Sequence, residues 1–332
     1  MLLLVDLDGV VYRGTQAVPG VAGVLKRRAA KGDRVMYVTN NSRWHREDYR
    51  TRLEGHGVPL TSGWDSIVTA ARAAAILLTE RDPKPRVAMV FGGPGLAREL
   101  RDVGLRTVGA TPSGLAAKPD VLIVGVDFQL SYARLSTAVE AVRRGALFVA
   151  TNRDPIYPGA DGQLMAGAGA MVAAVAAAAM MEPDLVVGKP QPRLFEAAAE
   201  VAGMELRDAI VIGDGITTDI RAANSVGARS VALVGLGAGT TACYSRPGEQ
   251  WTYYEIDPLV VAIARTPALF TYLADCQPNV RIVIGDARLS LAAAPDSSFD
   301  LITLDAFSSD AIPVHREPIY TSRPDLVAKY PT

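Results

Sequence analysis

The chain has 332 residues, 49% of them hydrophobic and 21% charged, with 34 Lys and Arg against 35 Asp and Glu. This is the composition of a globular protein with room for more than one core, and it excludes a disordered tail. A formal net charge of −1 with scattered cations leaves no basic face for nucleic acid and no polybasic anchor for a membrane.

The opening residues, MLLLVDLDG, form a short apolar run that meets acid at once. No cationic start, long apolar region and cleavage site follow in order, so a buried strand is expected here and not a signal peptide. Asp6 and Asp8 stand at its end. Side chains at i and i+2 on a strand share a face, so these two carboxylates would repel unless a cation or proton came between them. The next apolar run, RVMYVTNN, ends in the hydroxyl of Thr39 and the amides of Asn40 and Asn41, followed by Ser42 and Arg43.

The segment TERDPKPR (79–86), with two prolines and mixed charge, marks the entry to a second module. There RVAMVFGG, VLIVGVD and ALFVATN alternate with helical stretches, and the loop TNRDPIYPGADG (151–162) sets Tyr157 between Pro155 and Pro158. Residues 167–181 are mostly alanine. That run is too short for a bilayer, which needs about 20 apolar residues, so it reads as a buried helix. The chain returns to the first module near MEPDLVVGKP (181–190), which carries Lys189, and AIVIGDGITTD then brings Asp214 and Asp219.

Each strand is a continuous apolar run, as expected of buried parallel strands in an α/β protein, where ligands sit beyond the carboxyl ends. Hard oxygen donors with one lysine at those ends are the ingredients for holding Mg²⁺ against a phosphoryl group. His45, His56 and His315 belong to none of these motifs and are assigned no role.

The motifs DLDGVVYRG, VTNNS, ATNRDP, VGKPQP and GDGITTDI resemble those of the haloacid dehalogenase-like phosphohydrolases, specifically the class IIA branch of NagD-like, phosphoglycolate and pyridoxal phosphate phosphatases. The resemblance covers residues 1–234. It implies a Rossmann-like parallel core (1–80 and 183–234), an inserted α/β cap of the C2 type (81–182), and a Mg²⁺-dependent phosphoric monoester hydrolase acting on a small phosphorylated metabolite. By the same resemblance Asp6 is the nucleophile and Asp8 the general acid and then base. Thr39 and Asn40 hold phosphoryl oxygens, with Asn41, Ser42 and Arg43 beside them. Lys189 balances charge, Asp214 binds the metal with Asp6 and the main-chain carbonyl of Asp8, and Asp219 supports it. Tyr157 stands where relatives place a substrate-selecting residue, and cap-to-cap homodimers occur in such families.

From residue 235 the vocabulary changes. VALVGLGAGT is a strand followed by Gly235, Gly237 and Gly239, and WTYYEIDP, VRIVIGDAR and FDLITLDAFSSD follow it. Residues 235–315 resemble a partial class I methyltransferase Rossmann segment of the spermidine synthase-like branch, with 316–332 as a tail. The resemblance implies S-adenosylmethionine as a cofactor. The three glycines would lie at its amino-acid end, Glu255 or Asp257 at the ribose, Asp286 at the adenine and Asp305 beside the reacting groups. A SAM-binding transferase or polyamine synthase-like module is therefore the alternative function.

One strand, RSVALV, is claimed by both resemblances. A merged sheet is expected, with AIVIGD on one side of it, TYYEID on the other, RIVIG outside TYYEID, and LITLDA displaced. Cys243 and Cys276 lie in unrelated contexts without metal spacing and read as small packing residues of a cytoplasmic protein.

Overall fold

The computed structural model describes residues 1–158, 163–213, 218–219, 222–223, 230–234, 240–245, 248–294, 299 and 301–304. They fall into two compact units, 1–213 with 217–227, and 214–216 with 228–332.

The first unit begins with β1 (Leu2–Asp6), buried along its whole length. A small antiparallel hairpin of β2 (Tyr12–Arg13) and β3 (Gln16–Ala17) follows, then β4 (Arg34–Thr39), β5 (Thr61–Trp64) and β6 (Ile67–Thr69). β1 pairs with β4 and β4 with β6, all parallel, so β1 and β4 end at the same edge with Asp6 opposite Val38. Leu3, Val5, Val35 and Tyr37 on these strands pack with Leu25 and Leu53 from the flanking helices. The helix Arg46–Gly55 starts at His45, whose side chain accepts the Glu47 N–H while Asp48 accepts the His45 N–H. An N-terminal cap of this kind stabilises a helix by about 1 kcal/mol.

The inserted segment forms its own parallel sheet from β7 (Val87–Phe91), β8 (Arg106–Gly109), β9 (Val121–Val124) and β10 (Leu147–Ala150). β11 (Ile156–Pro158) and β12 (Leu164–Ala166) make a separate antiparallel hairpin, and β13 (Leu185–Val186) joins the sheet edge against β10. The sheet order is β13-β10-β9-β7-β8. Met89, Phe91, Leu122, Val124 and Phe148 form its core with the helices Tyr132–Arg143 and Ala168–Ala179. The alanine-rich run is thus a cap helix with Met171, Val172, Val175 and Ala176 buried, ended by Met180 in the left-handed region at φ 57. The chain then re-enters the first sheet with β14 (Ala209–Gly213), parallel to β1 on the side away from β4.

The second unit contains β15 (Ser230–Val234), β16 (Gln250–Glu255), β17 (Arg281–Ile284) and β18 (Leu301–Leu304), all parallel in the order β17-β16-β15-β18. In order of appearance this is 3-2-1-4, the arrangement of a mononucleotide-binding half with its first strand beyond the switch. The expectation for RSVALV is corrected here. TYYEID and RIVIG lie where expected, but LITLDA keeps a place against β15 and AIVIGD does not take it. The chain leaves β17 through the helix Ala287–Ala292, and that crossover brings a fourth apolar strand to the open side of β15, where four residue pairs fall into register.

The reading of the cysteines is also corrected, because Cys243 and Cys276 are joined by a disulfide. The 3₁₀ turn Thr240–Tyr244 lies against the helix Tyr272–Cys276, which brings the two Cα atoms within 4.8 Å. Spacing along the chain carried no sign of that proximity. Among the described residues no helix is long and apolar enough to cross a membrane. Asp214, Gly235, Gly237, Gly239, Asp305 and the tail 316–332 lie outside the described residues.

Candidate active site

Asp6 is the last residue of β1 and is buried, at 6% exposure. Lys189, three residues beyond β13, places Nζ 2.5 Å from Asp6 Oδ1 and 2.7 Å from Asp219 Oδ1. Lys189 and Asp219 are themselves 3% and 2% exposed, so one ammonium lies between two carboxylates out of water. Burial works against the charge on Lys189, but Asp219 and then Asp6 outweigh it and hold the ammonium above the ordinary lysine range. Asp219 reaches this point because β14 ends in glycine: a Cβ on Gly213 would stand 2.3 Å from the Asp219 Cγ.

Asp8 follows in the turn after β1, where the Leu7 carbonyl accepts from Val11 and Tyr12, and Gly9, at φ 90, donates to the Tyr12 carbonyl. Burial pushes the Asp8 carboxyl above the usual carboxylate range, against the opposing pull of Arg52 and Lys189. Arg52 stacks its guanidinium 3.7 Å from the centre of the Tyr12 ring and donates to the Gly14 carbonyl, pinning the β2–β3 hairpin to the helix Arg46–Gly55.

The loop after β4 faces the cap. Thr39 is buried and its hydroxyl accepts the Asn41 N–H at 3.1 Å, which leaves its own hydrogen to donate elsewhere. The Asn40 side chain binds Lys189 and Asp154, and Ser42 accepts a hydrogen bond from Thr151 at 3.1 Å. Asn41 Oδ1 accepts the Arg43 N–H, and the Arg43 guanidinium lies 3.7 Å from the Phe128 ring centre and 4.4 Å from that of Trp44. Tyr157 pairs with Met165 in the β11–β12 hairpin. Sequence reasoning missed Arg52, Asn152 and Asp154. The last two stand in the quoted ATNRDP, at the end of an apolar run, which is the signal that could have found them.

Among the described residues one group of three, His45, Glu99 and Asp102, gathers potential metal-ligand atoms within 4.8 Å. All three side chains already have protein partners, although Glu99 Oε2 accepts no hydrogen bond. His45 Nδ1 accepts the Glu47 N–H, so Nε2 carries the proton and donates to Asp102 Oδ2 at 2.8 Å. Arg46 donates its backbone N–H to Glu99 and its guanidinium to Asp102. A dication would compete with that proton and that guanidinium, so the group reads as a clasp between the cap helix Pro94–Asp102 and the core helix Arg46–Gly55.

In the second unit Glu255 Oε1 accepts the Asp257 N–H at 2.9 Å, and Asp257 Oδ1 accepts the Leu259 N–H at 2.8 Å, the local bonds of a strand-to-helix turn. Asp286 follows Gly285, which takes φ 139.

A capped parallel sheet with an ion-paired carboxylate at the end of its first strand defines the first unit as an α/β protein of the Rossmann-like class. Two family models match the chain, the haloacid dehalogenase-like hydrolase model over residues 3–106 and a second HAD-hydrolase-like model over residues 186–255. The second match runs past residue 235 into β16. Human chronophin is 38% identical over 66% of this chain and 75% of its own length. The D-glycerol 3-phosphate phosphatase of Mycobacterium tuberculosis is 37% identical over 89% of this chain and 79% of its own. The crystal structure of glycerol phosphate phosphatase from Mycobacterium tuberculosis, in complex with calcium, superposes with a TM-score of 0.63 at 34% identity, covering 75% of this chain and 68% of that one. The chain belongs to the haloacid dehalogenase-like hydrolases and is a phosphatase, a phosphoric monoester hydrolase, of that family.

Proposed function

We propose that the chain hydrolyses a small phosphorylated metabolite by covalent catalysis at Asp6 with Mg²⁺ bound. The observation that carries this reading is the buried set of Asp6, Lys189 and Asp219 at the strand ends, with Asp8 beside it. An Asp6 carboxylate oxygen attacks phosphorus and the bond to the leaving oxygen breaks, while Asp8, whose carboxyl burial raises above the usual carboxylate range, gives that oxygen a proton. In the second half Asp8 takes a proton from water, whose oxygen attacks phosphorus, and free phosphate leaves with Asp6 regenerated. Lys189 offsets the approach of two like charges, and splitting the reaction replaces one hard step by two easier ones. The Thr39 hydroxyl and the backbone N–H groups after it would hold phosphoryl oxygens.

The residues fit a dication. Asp6, Asp8 and Asp219 outnumber the single ammonium of Lys189, and a surplus of hard oxygen donors is what Mg²⁺ prefers. Asp6, the main-chain carbonyl of Asp8 and Asp214 would hold it, with Asp219 behind. When bound it supplies positive charge against the phosphate. The names of the relatives support a glycerol phosphate or a similarly small ester as substrate. The transferase alternative draws on Gly235, Gly237, Gly239 and Asp305, outside the described residues, and on Glu255, Asp257 and Asp286; the two matching family models lend it no support, and the phosphatase reading uses none of these residues.

A panel of phosphate esters tests the reading. Phosphate release is expected with Mg²⁺, lost on chelation with EDTA and restored by added Mg²⁺; EDTA-resistant hydrolysis would remove the metal from it. The pH profile offers a second check. Arg52 pulls the Asp8 pKa down, so Arg52→Gln leaves Asp8 protonated to higher pH, and the alkaline limb of kcat/KM is expected to move upward. A limb that moves to lower pH would contradict Asp8 as the acid.

A further inference from the structure

Asn40 stands in the loop expected to hold phosphate, yet its side chain is fully engaged with protein. One Nδ2 hydrogen goes to the Lys189 carbonyl at 2.9 Å and the other to Asp154 Oδ2 at 2.9 Å, while Oδ1 accepts the Lys189 N–H at 2.7 Å. An amide has two donor hydrogens, so none remains for a phosphoryl oxygen. Turning the amide over would set NH₂ against the Lys189 N–H, so only this orientation satisfies all three contacts. Both polar atoms of the Lys189 backbone are thus gripped by one side chain, 149 positions away in sequence. Gly188 makes the approach feasible, since a Cβ there would stand 2.5 Å from Asn40 Oδ1 and 2.7 Å from the Thr151 carbonyl.

The cap loop holds the other end. Asn152 Nδ2 donates to the Asn40 carbonyl at 2.7 Å, and Asn152 Oδ1 accepts the Asp154 N–H at 3.0 Å. Asp154 is therefore set in place before it meets Asn40. We propose that Asn40 and Asp154 act as a positioning latch, in which a cap carboxylate orients the Asn40 amide and that amide fixes the Lys189 backbone so that Nζ meets Asp6. The proposal rests on the phosphatase reading. Lys189 carries its ammonium at the end of a long flexible stem, so a small turn at its backbone displaces Nζ from Asp6. Misplacement by about 1 Å in a catalytic site costs on the order of 10²-fold in rate.

The test compares wild type with Asp154→Ala, Asp154→Asn, Asn40→Ala and the Asp154→Ala/Asn40→Ala double variant. It measures kcat and KM for p-nitrophenyl phosphate, the affinity for inorganic phosphate, and hydrogen exchange at the Lys189 N–H. Asp154→Ala is expected to lower kcat about tenfold, with KM and phosphate affinity within about twofold and faster exchange at Lys189. Asp154→Asn still offers an oxygen to Asn40 and should restore at least about half of that loss, whereas a purely electrostatic role for Asp154 would not be rescued. In the double variant the loss should not exceed that of Asn40→Ala alone, the non-additivity expected of one connected unit.

Wild-type kcat in Asp154→Ala, or additive losses, would overturn the latch, as would reduced phosphate affinity in Asn40→Ala with unchanged exchange at Lys189. If wild type hydrolyses no ester, the phosphatase reading falls and hydrogen exchange alone decides: faster exchange in Asp154→Ala keeps the latch and unchanged exchange removes it. If Asn40→Ala does not fold, the two Asp154 variants still decide.

Discussion

Asp6→Asn is expected to give a folded protein that releases almost no phosphate, with kcat reduced by about 10³-fold or more on every ester that wild type accepts. The substitution preserves shape and replaces an oxygen nucleophile by an amide, which cannot form a hydrolysable acyl phosphate. Folding should survive because Lys189 keeps Asp219 as a partner at 2.7 Å, so no buried charge is abandoned. Phosphate release and a thermal unfolding scan on the same sample separate the two effects. Activity within tenfold of wild type in a folded Asp6→Asn protein would end the assignment of the nucleophile.

Lys189→Met is expected to have the largest effect on stability. Methionine fills much of the lysine stem, but removing the ammonium leaves Asp6 and Asp219 buried without their shared cation. Breaking a buried ion pair from one side costs about 3–5 kcal/mol. The sign with pH follows from Lys189. In wild type the raised Lys189 pKa keeps its contribution intact across neutral pH, and that contribution is lost only as pH rises through the folded-state value. The deficit of the variant is therefore expected in full at neutral pH and below. Urea unfolding at pH 7 and pH 5 measures it. Equal stability of variant and wild type at pH 7 would mean that Lys189 does not hold the two carboxylates together.

Much of this was legible in the residues. Continuous apolar runs ending in Asp, Asn, Gly or Lys announced parallel strands with polar groups at their carboxyl ends, and Asp6, Lys189 and Asp219 do meet at such ends. A residue type, however, does not say where its hydrogens go. Asn40 has the chemistry of a phosphate donor, and only the folded cap, which brings Asp154 from 114 positions away, shows that both hydrogens are taken. An apolar strand likewise does not name its neighbours: RSVALV reads the same whether AIVIGD or LITLDA lies beside it, and the crossover after β17 decides. The disulfide and the Arg52–Tyr12 stack are contacts between distant segments with no periodic trace in sequence.

Val186, the last residue of the cap sheet, lies three positions before Lys189. Three extended residues reach about 10 Å at most, so the cap and the ammonium share one short tether. A displacement of β13 beyond that reach would haul Lys189 off Asp6 and leave that buried carboxylate with Asp219 but without the ammonium the three groups share.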